Sequence, residues 1–283
     1  VYFFYKLVQK HFGNRIALYS SLFLASNGFF IAFSRIVQYQ SFVILFSILA
    51  LYLFSLSKTK YVFLGATFWG LGMLAHYDAV FIAPLAFYLL FKWFREGKKV
   101  ERTKVITLLG SGFMAFIIAG AFYIPFFLKV SDSTATYWSG RISGEVSSKI
   151  SSSKYLFDVY QPILVLRIYE ILFALGTLLT LFTFLKLSTN IFLIENKGAL
   201  IGVFLWFLTG IAFMEGYVYI PGTHIYVYLL PLFIILGFGV YFIENMLHLF
   251  LGSKVGESLF ITGAFVVFAF IFVQSFWIYV DNS

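Results

Sequence analysis

Nine stretches of the chain are almost continuously apolar, at about 16–34, 41–57, 61–76, 79–94, 105–127, 162–185, 199–214, 225–243 and 258–280. Each approaches the roughly 17–25 residues that carry a helix across a hydrocarbon core about 30 Å thick, where every backbone N–H and C=O must be bonded within the segment. The third and fourth runs are short, and only Tyr77 and Asp78 separate them, which fits a tight hairpin or a re-entrant pair. The residues before Arg15 read as the end of a further apolar helix running into Lys6 and Lys10. The pattern predicts an all-α fold, a polytopic transmembrane helical bundle of about nine spans plus the end of a preceding helix.

Polar positions organise what lies between the runs. The stretch 129–161 is the only extended hydrophilic segment, and its Ser-rich middle, SSKISSSK at 147–154, reads as a mobile loop. With no 20–50-residue repeat and no soluble boundary, residues 1–283 read as a single transmembrane domain carrying that loop. The chain opens at Val1 without a signal peptide, so it is expected to be a fragment whose upstream helix and first outer loop precede Val1.

Composition narrows the function classes. With 61% hydrophobic, 22% aromatic and 11% charged residues, the chain cannot cover a globular surface with water-compatible side chains, which excludes a soluble enzyme. The 39 Phe, 19 Tyr and 5 Trp exclude a disordered chain as well. The absence of Cys removes disulfides, thiolate metal sites and cysteine nucleophiles, and 4 His make a His-rich metal site improbable, so no metal ligand is assigned. Assigning alternate loops to opposite sides puts 14 of the 20 basic residues on one face, among them the run REGKKVERTK at 95–104, and the positive-inside rule makes that face cytoplasmic. The net charge of +8 is thereby accounted for without nucleic acid.

The opposite, non-cytoplasmic face collects RIVQYQ (35–40), the His76-Tyr77-Asp78 turn, the loop 129–161 and EGYVYIPGTHIY (215–226). Arg35 reads either as a snorkelling interfacial arginine or as a planar, permanently charged ligand for a lipid-linked phosphate. His76, Tyr77 and Asp78 place a base, a hydroxyl and a carboxylate together; the structural alternative is a hairpin tip with Asp78 capping the next helix. His224, after Gly222 and Thr223, either anchors the interface with Tyr226 and Tyr228 or donates to a phosphate or acceptor. In the long loop, Tyr137 and Trp138 offer stacking surfaces for a sugar and Arg141 a phosphate ligand, while Arg141 and Glu145 at helical spacing also read as a surface ion pair. Arg167 and Glu170, three apart within a span, must pair or line a wet cavity. No GxxxxGK[ST], strand-linked GxGxxG or HExxH occurs, which leaves an ATP-driven pump or membrane zinc protease without support.

Three segments resemble integral-membrane GT-C glycosyltransferases of the protein O-mannosyltransferase and aminoarabinose-transferase-like group: ALYSSLFLASNGFFIAFSRIVQYQSFVILFSILALYLF (17–54), GLGMLAHYDAVFIAPLAFYLLF (70–91) and PGTHIYVYLLPLFIILG (221–237). The resemblance implies a GT-C-like fold and sugar transfer from a polyprenyl-phosphate donor to a protein, lipid or glycan acceptor on the non-cytoplasmic face, in a plasma membrane or an endoplasmic-reticulum membrane. It places the main catalytic carboxylate, and any divalent metal, in an acidic first outer loop expected upstream of Val1. An acidic residue often follows the Ser-Arg signature in that group; Gln40 stands near that place and can hydrogen-bond but cannot act as a base. Within this chain the catalytic candidates are then Asp78, His76 and Glu145. The substrate-binding candidates are Arg35, Gln40, Tyr77, Tyr137, Arg141, Thr223 and His224. Two other classes remain open: a transporter or lipid flippase, and a non-catalytic membrane scaffold subunit. Ionisable groups gathered near span ends, rather than at the midplane, favour the enzyme.

Overall fold

Apolar sequence in lipid has one backbone solution available to a single segment, the helix. The computed structural model describes residues 1–35, 38–97, 101–143, 167–187, 190–218 and 222–276. Every regular element among them is helical, and helical elements occupy the described part of each of the nine apolar runs. In chain order these are α1 (Tyr2–Phe12), α2 (Asn14–Ser26), α3 (Gly28–Arg35), α4 (Tyr39–Ser55), α5 (Thr59–Ala75), a 3-10 turn (Tyr77–Ile82), α6 (Ala83–Arg95), α7 (Arg102–Leu128) and α8 (Asp132–Ser143). After these come α9 (Arg167–Phe184), α10 (Ile191–Glu195), α11 (Lys197–Ile211) with a π turn (Ala212–Tyr217), a second 3-10 turn (Gly222–Ile225), α12 (Tyr226–Leu251) and α13 (Ser253–Phe276). By length and hydropathy 5 of the helical segments can cross a membrane, or 6 if the bent pair α2 and α3 counts as one span.

Two elements differ from expectation. The first apolar run is broken rather than continuous: α2 and α3 meet at a 58° bend. The cause is the Ser26-Asn27-Gly28 sequence. Ser26 Oγ donates back to the Leu22 carbonyl (2.7 Å), and Asn27 Oδ1 accepts the Phe30 N–H (3.3 Å), so Asn27 starts a new helix inside the protein, where it is buried. The hydrophilic stretch 129–161 begins not as a loop but as α8. Ser131 Oγ accepts the Thr134 N–H (3.3 Å), and Asp132 lies in the first turn, a cap and a charge that both suit a helix start. The Ser-rich segment 147–154 lies outside the described residues.

The chain divides into two compact units. The first comprises Val1–Val37, Leu156–Leu200 and Leu229–Ser283. Its core is aromatic: Phe23 meets the rings of Tyr169 (5.5 Å) and Phe268 (4.9 Å), and Phe12 meets Phe238 edge-on at 5.1 Å. Here α9 and α12 approach so closely that Gly176 lies against the Ile235 carbonyl and Gly239 against the Leu172 carbonyl, with no room for a side chain at either. Glu244, fully buried, pairs with Arg15 and accepts the Tyr19 hydroxyl at 2.8 Å, as a carboxylate within an apolar bundle requires.

The second unit comprises Gln38–Tyr155 and Ile201–Tyr228, and it holds the polar cluster described next. Its frame is α5 packed between α4 and α7. Gly70 abuts the Ala115 backbone and thereby lets α5 and α7 run in near contact. Lys104, buried at the start of α7, donates through Nζ to the Trp93 (3.0 Å) and Glu96 carbonyls at the end of α6, occupying acceptors that a helix C-terminus otherwise leaves open.

Candidate functional site

The site grows from a turn. Helix α5 stops at Ala75 because His76 adopts an extended conformation (φ −168°, ψ 145°), and its Nδ1 accepts the Asp78 N–H at 3.3 Å, so the histidine, not Asp78, caps the following 3-10 turn. Pro84 in the first turn of α6, where no N–H is needed, continues the chain into that helix. The turn is tied down by Trp69, whose Nε1 donates to the Ala79 carbonyl (2.8 Å), and by Tyr123 of α7, whose hydroxyl donates to the Met73 carbonyl (2.9 Å).

This geometry drives the Asp78 side chain fully into the interior. Its Oδ2 accepts two hydrogen bonds, from His224 Nδ1 at 2.6 Å and from the Tyr226 hydroxyl at 2.5 Å. Its Oδ1 lies 3.2 Å from His76 Nδ1 and has no hydrogen-bond partner among the described residues. A buried carboxylate is tolerated only when paired, and here two imidazoles and a phenol enclose it. His224 and Tyr226 come from the second 3-10 turn and the start of α12, held in place by Gln40, whose Nε2 donates to Thr223 Oγ1 at 3.0 Å. Tyr39 completes the wall. Its ring stacks on His76 (4.3 Å between centroids, 14° between planes), and its hydroxyl lies 3.4 Å from His224 Nε2. Tyr77 stacks along His224 at 6.3 Å.

Of the residues singled out by sequence, the structure therefore brings together His76, Tyr77, Asp78, Gln40, Thr223 and His224. Arg35 ends α3 in the first unit, exposed, and is not among the partners of this cluster. Tyr137 and Arg141 lie on α8, their side chains outside those described, as is the Arg167 side chain; Glu145 lies outside the described residues. Two residues were missed. Tyr226 and Tyr39 both look like interfacial tyrosines in sequence, yet Tyr226 is buried and bonded to the carboxylate, and Tyr39 covers both histidines. The signal for Tyr226 was its position two residues after His224, which in a tight turn can direct both at one acceptor. Although no metal ligand was assigned from sequence, His76, Asp78 and His224 present three ligand-type atoms within 4.8 Å of one another.

Below the turn, α5, α6 and α7 line an apolar cavity of about 720 Å³. Met73 and Val80, which flank the His76–Asp78 turn in sequence, belong to its wall together with Trp69, Phe87, Phe116 and Gly112.

Residues 1–124, less than half of the chain, match the family described as dolichyl-phosphate-mannose-protein mannosyltransferase. The matched segment contains α1 to α6, most of α7, and the His76–Asp78 turn. It is similar to membrane glycosyltransferases, in keeping with the several apolar helices of the fold. No curated protein and no solved structure matches the chain.

Proposed function

We propose that this chain is a membrane glycosyltransferase that moves a sugar from a polyprenyl-phosphate donor to a protein, lipid or glycan acceptor at the non-cytoplasmic face. The observation that carries this reading is the Asp78 carboxylate enclosed by His76, His224 and Tyr226, within a chain whose first 124 residues match a mannosyltransferase family.

The chemistry follows from what the transfer demands. Breaking the bond between a sugar and its phosphate leaves charge on the departing phosphate, and preorganised donors or cations aimed at it lower the barrier. Asp78 fixes the His224 ring through Nδ1, which sets Nε2 beside the Tyr39 hydroxyl as the pair of polar groups offered to the phosphate. Tyr226 keeps the carboxylate from turning away. Asp78 thus acts as a positioning residue, His224 and Tyr39 as the groups that touch the donor, and His76 and Tyr77 as a stacking wall. The base for the acceptor hydroxyl is assigned to none of them. The apolar cavity beneath the turn suits the polyprenyl chain, since its lining offers hydrocarbon contacts and aromatic faces. Arg35 and Arg141 remain proposals for further phosphate contacts, and the acceptor is expected to approach past the stretch 129–161.

The test is release of polyprenyl phosphate from polyprenyl-phosphate-mannose by the purified protein in lipid nanodiscs. His224→Ala is expected to lower turnover by about 100-fold or more, the effect of losing one transition-state donor. Full activity in that variant would remove the site from the reaction.

A further inference from the structure

We propose that His76, Asp78 and His224 form a binding site for a divalent cation of the Zn²⁺ class. The proposal concerns what the site holds and stands whether or not the chain transfers sugar.

Zn²⁺ takes imidazole nitrogen at about 2.0–2.1 Å and carboxylate oxygen at about 2.0–2.2 Å, which sets neighbouring ligands of a tetrahedral site about 3.3 Å apart. His76 Nδ1 and Asp78 Oδ1 already stand 3.2 Å apart, and all three ligand atoms fall within 4.8 Å of one another. Proximity alone is common in polar clusters. What distinguishes this one is an unanswered electron pair: Asp78 is only 2% exposed, and its buried Oδ1 has no hydrogen-bond donor among the described residues. The atom facing it, His76 Nδ1, is itself an acceptor, receiving the Asp78 N–H at 3.3 Å. In the tautomer that accepts this N–H, the Nδ1 and Oδ1 lone pairs converge with no proton between them. A cation satisfies both, at the cost of that long N–H contact and of the His224 Nδ1 bond to Oδ2, whose proton leaves when His224 becomes the third ligand. The other oxygen, Oδ2, needs no such help, because Tyr226 donates to it at 2.5 Å.

The surroundings have the form of an outer shell. A metal-bound imidazole turns its second ring N–H to an acceptor, and His224 Nε2 lies 3.4 Å from the Tyr39 hydroxyl. The Tyr226 hydroxyl holds the carboxylate. Two imidazoles and one carboxylate leave a coordination position open, the pattern of reactive rather than structural zinc sites, and the bound ion gives the site a net positive charge. The nitrogen ligands select against Mg²⁺, which takes oxygen and water in an octahedral shell.

The experiment strips the purified chain in detergent micelles with a chelator and titrates it with Co²⁺, whose visible absorption reports its coordination. The wild type is expected to take up one Co²⁺ per chain, to lose the signal when Zn²⁺ is added, and to keep it in excess Mg²⁺. His76→Gln and His224→Gln are expected to weaken binding more than about 100-fold, beyond the range for an outer-shell partner, and Tyr39→Phe by about 10-fold. Gel filtration and thermal unfolding establish that each variant is folded; Tyr39→Phe removes one exposed-side hydroxyl and guards against a misfolded histidine variant. A folded wild type without stoichiometric Co²⁺ uptake, or uptake equal in wild type, His76→Gln and Tyr39→Phe, overturns the proposal and leaves a cluster held by protons alone. Loss of sugar transfer with intact Co²⁺ binding would count against the transferase reading and not against this one.

Discussion

Replacing Asp78 with Asn separates a functional carboxylate from a structural one. The amide has the same shape, so packing is unchanged. Its oxygen, placed where Oδ2 now lies, keeps the bonds from His224 and Tyr226, but as a neutral acceptor. A hydrogen bond to a charged group contributes about 1.5–3 kcal/mol and a neutral one about 0.5–1.5, so the two bonds together lose about 2–3 kcal/mol. Against this, an amide is spared the several kcal/mol of desolvation that a buried carboxylate costs. The amide NH₂, at the position of Oδ1, faces His76 Nδ1, which already behaves as an acceptor. The opposing effects leave stability within about 1 kcal/mol of wild type, a change of roughly 2–4 °C in the thermal midpoint. Turnover, in contrast, should fall by at least about 100-fold, or about 2.7 kcal/mol in barrier, because an uncharged partner no longer polarises His224. Differential scanning fluorimetry and the polyprenyl-phosphate release assay, run on the same preparation, give both quantities. A midpoint lowered by more than about 10 °C would make Asp78 a scaffold residue, and activity within a factor of three of wild type would sink the argument from charge.

Other substitutions probe the frame. Tyr226→Phe deletes the 2.5 Å bond to Asp78 and should lower stability by about 1.5–3 kcal/mol in thermal unfolding, with His224 still bonded. Gly176→Ala forces a methyl group onto the Ile235 carbonyl and should cost about 1–3 kcal/mol or more, whereas Gly110→Ala, with nothing within 4 Å of its new methyl, should leave the melting profile unmoved. Gly112 lines the cavity among α5, α6 and α7 and has nothing within 4 Å of an added Cβ, so Gly112→Leu should raise the KM for a long-chain donor while leaving the thermal midpoint unaltered. Lys104→Met strips two α6 carbonyls of their donor and should destabilise the protein by about 1–3 kcal/mol in the same melts.

Helix positions were legible because apolar run length has a single meaning in lipid, and the described part of each of the nine runs is helical. The breaks were harder to see. Ser26-Asn27-Gly28 carries capping chemistry inside an apolar run, and a count of hydrophobic residues averages it away. Ser131 and Asp132 carry the same chemistry in a polar stretch, where hydrophilicity alone suggested a loop. At the site, His76, Asp78 and His224 were grouped by membrane sidedness, a coarse coordinate that the contacts within the second unit refine to a few ångströms. Sidedness cannot tell an interfacial tyrosine from one aimed inward, which is why Tyr39 and Tyr226 escaped notice. Glu244, just past the apolar run 225–243, was not singled out, and its partner Arg15 lies in a distant part of the sequence.

Helix α12 carries a bonded polar group near each of its ends, Tyr226 on Asp78 and Glu244 on Arg15 and Tyr19. Eighteen residues separate them, which at 1.5 Å per residue is about 27 Å along the axis. Sliding the helix by one turn, about 5.4 Å, would part both groups from their partners. The helix is thereby pinned in register at two points along its length, and neither can be released without baring a buried charge.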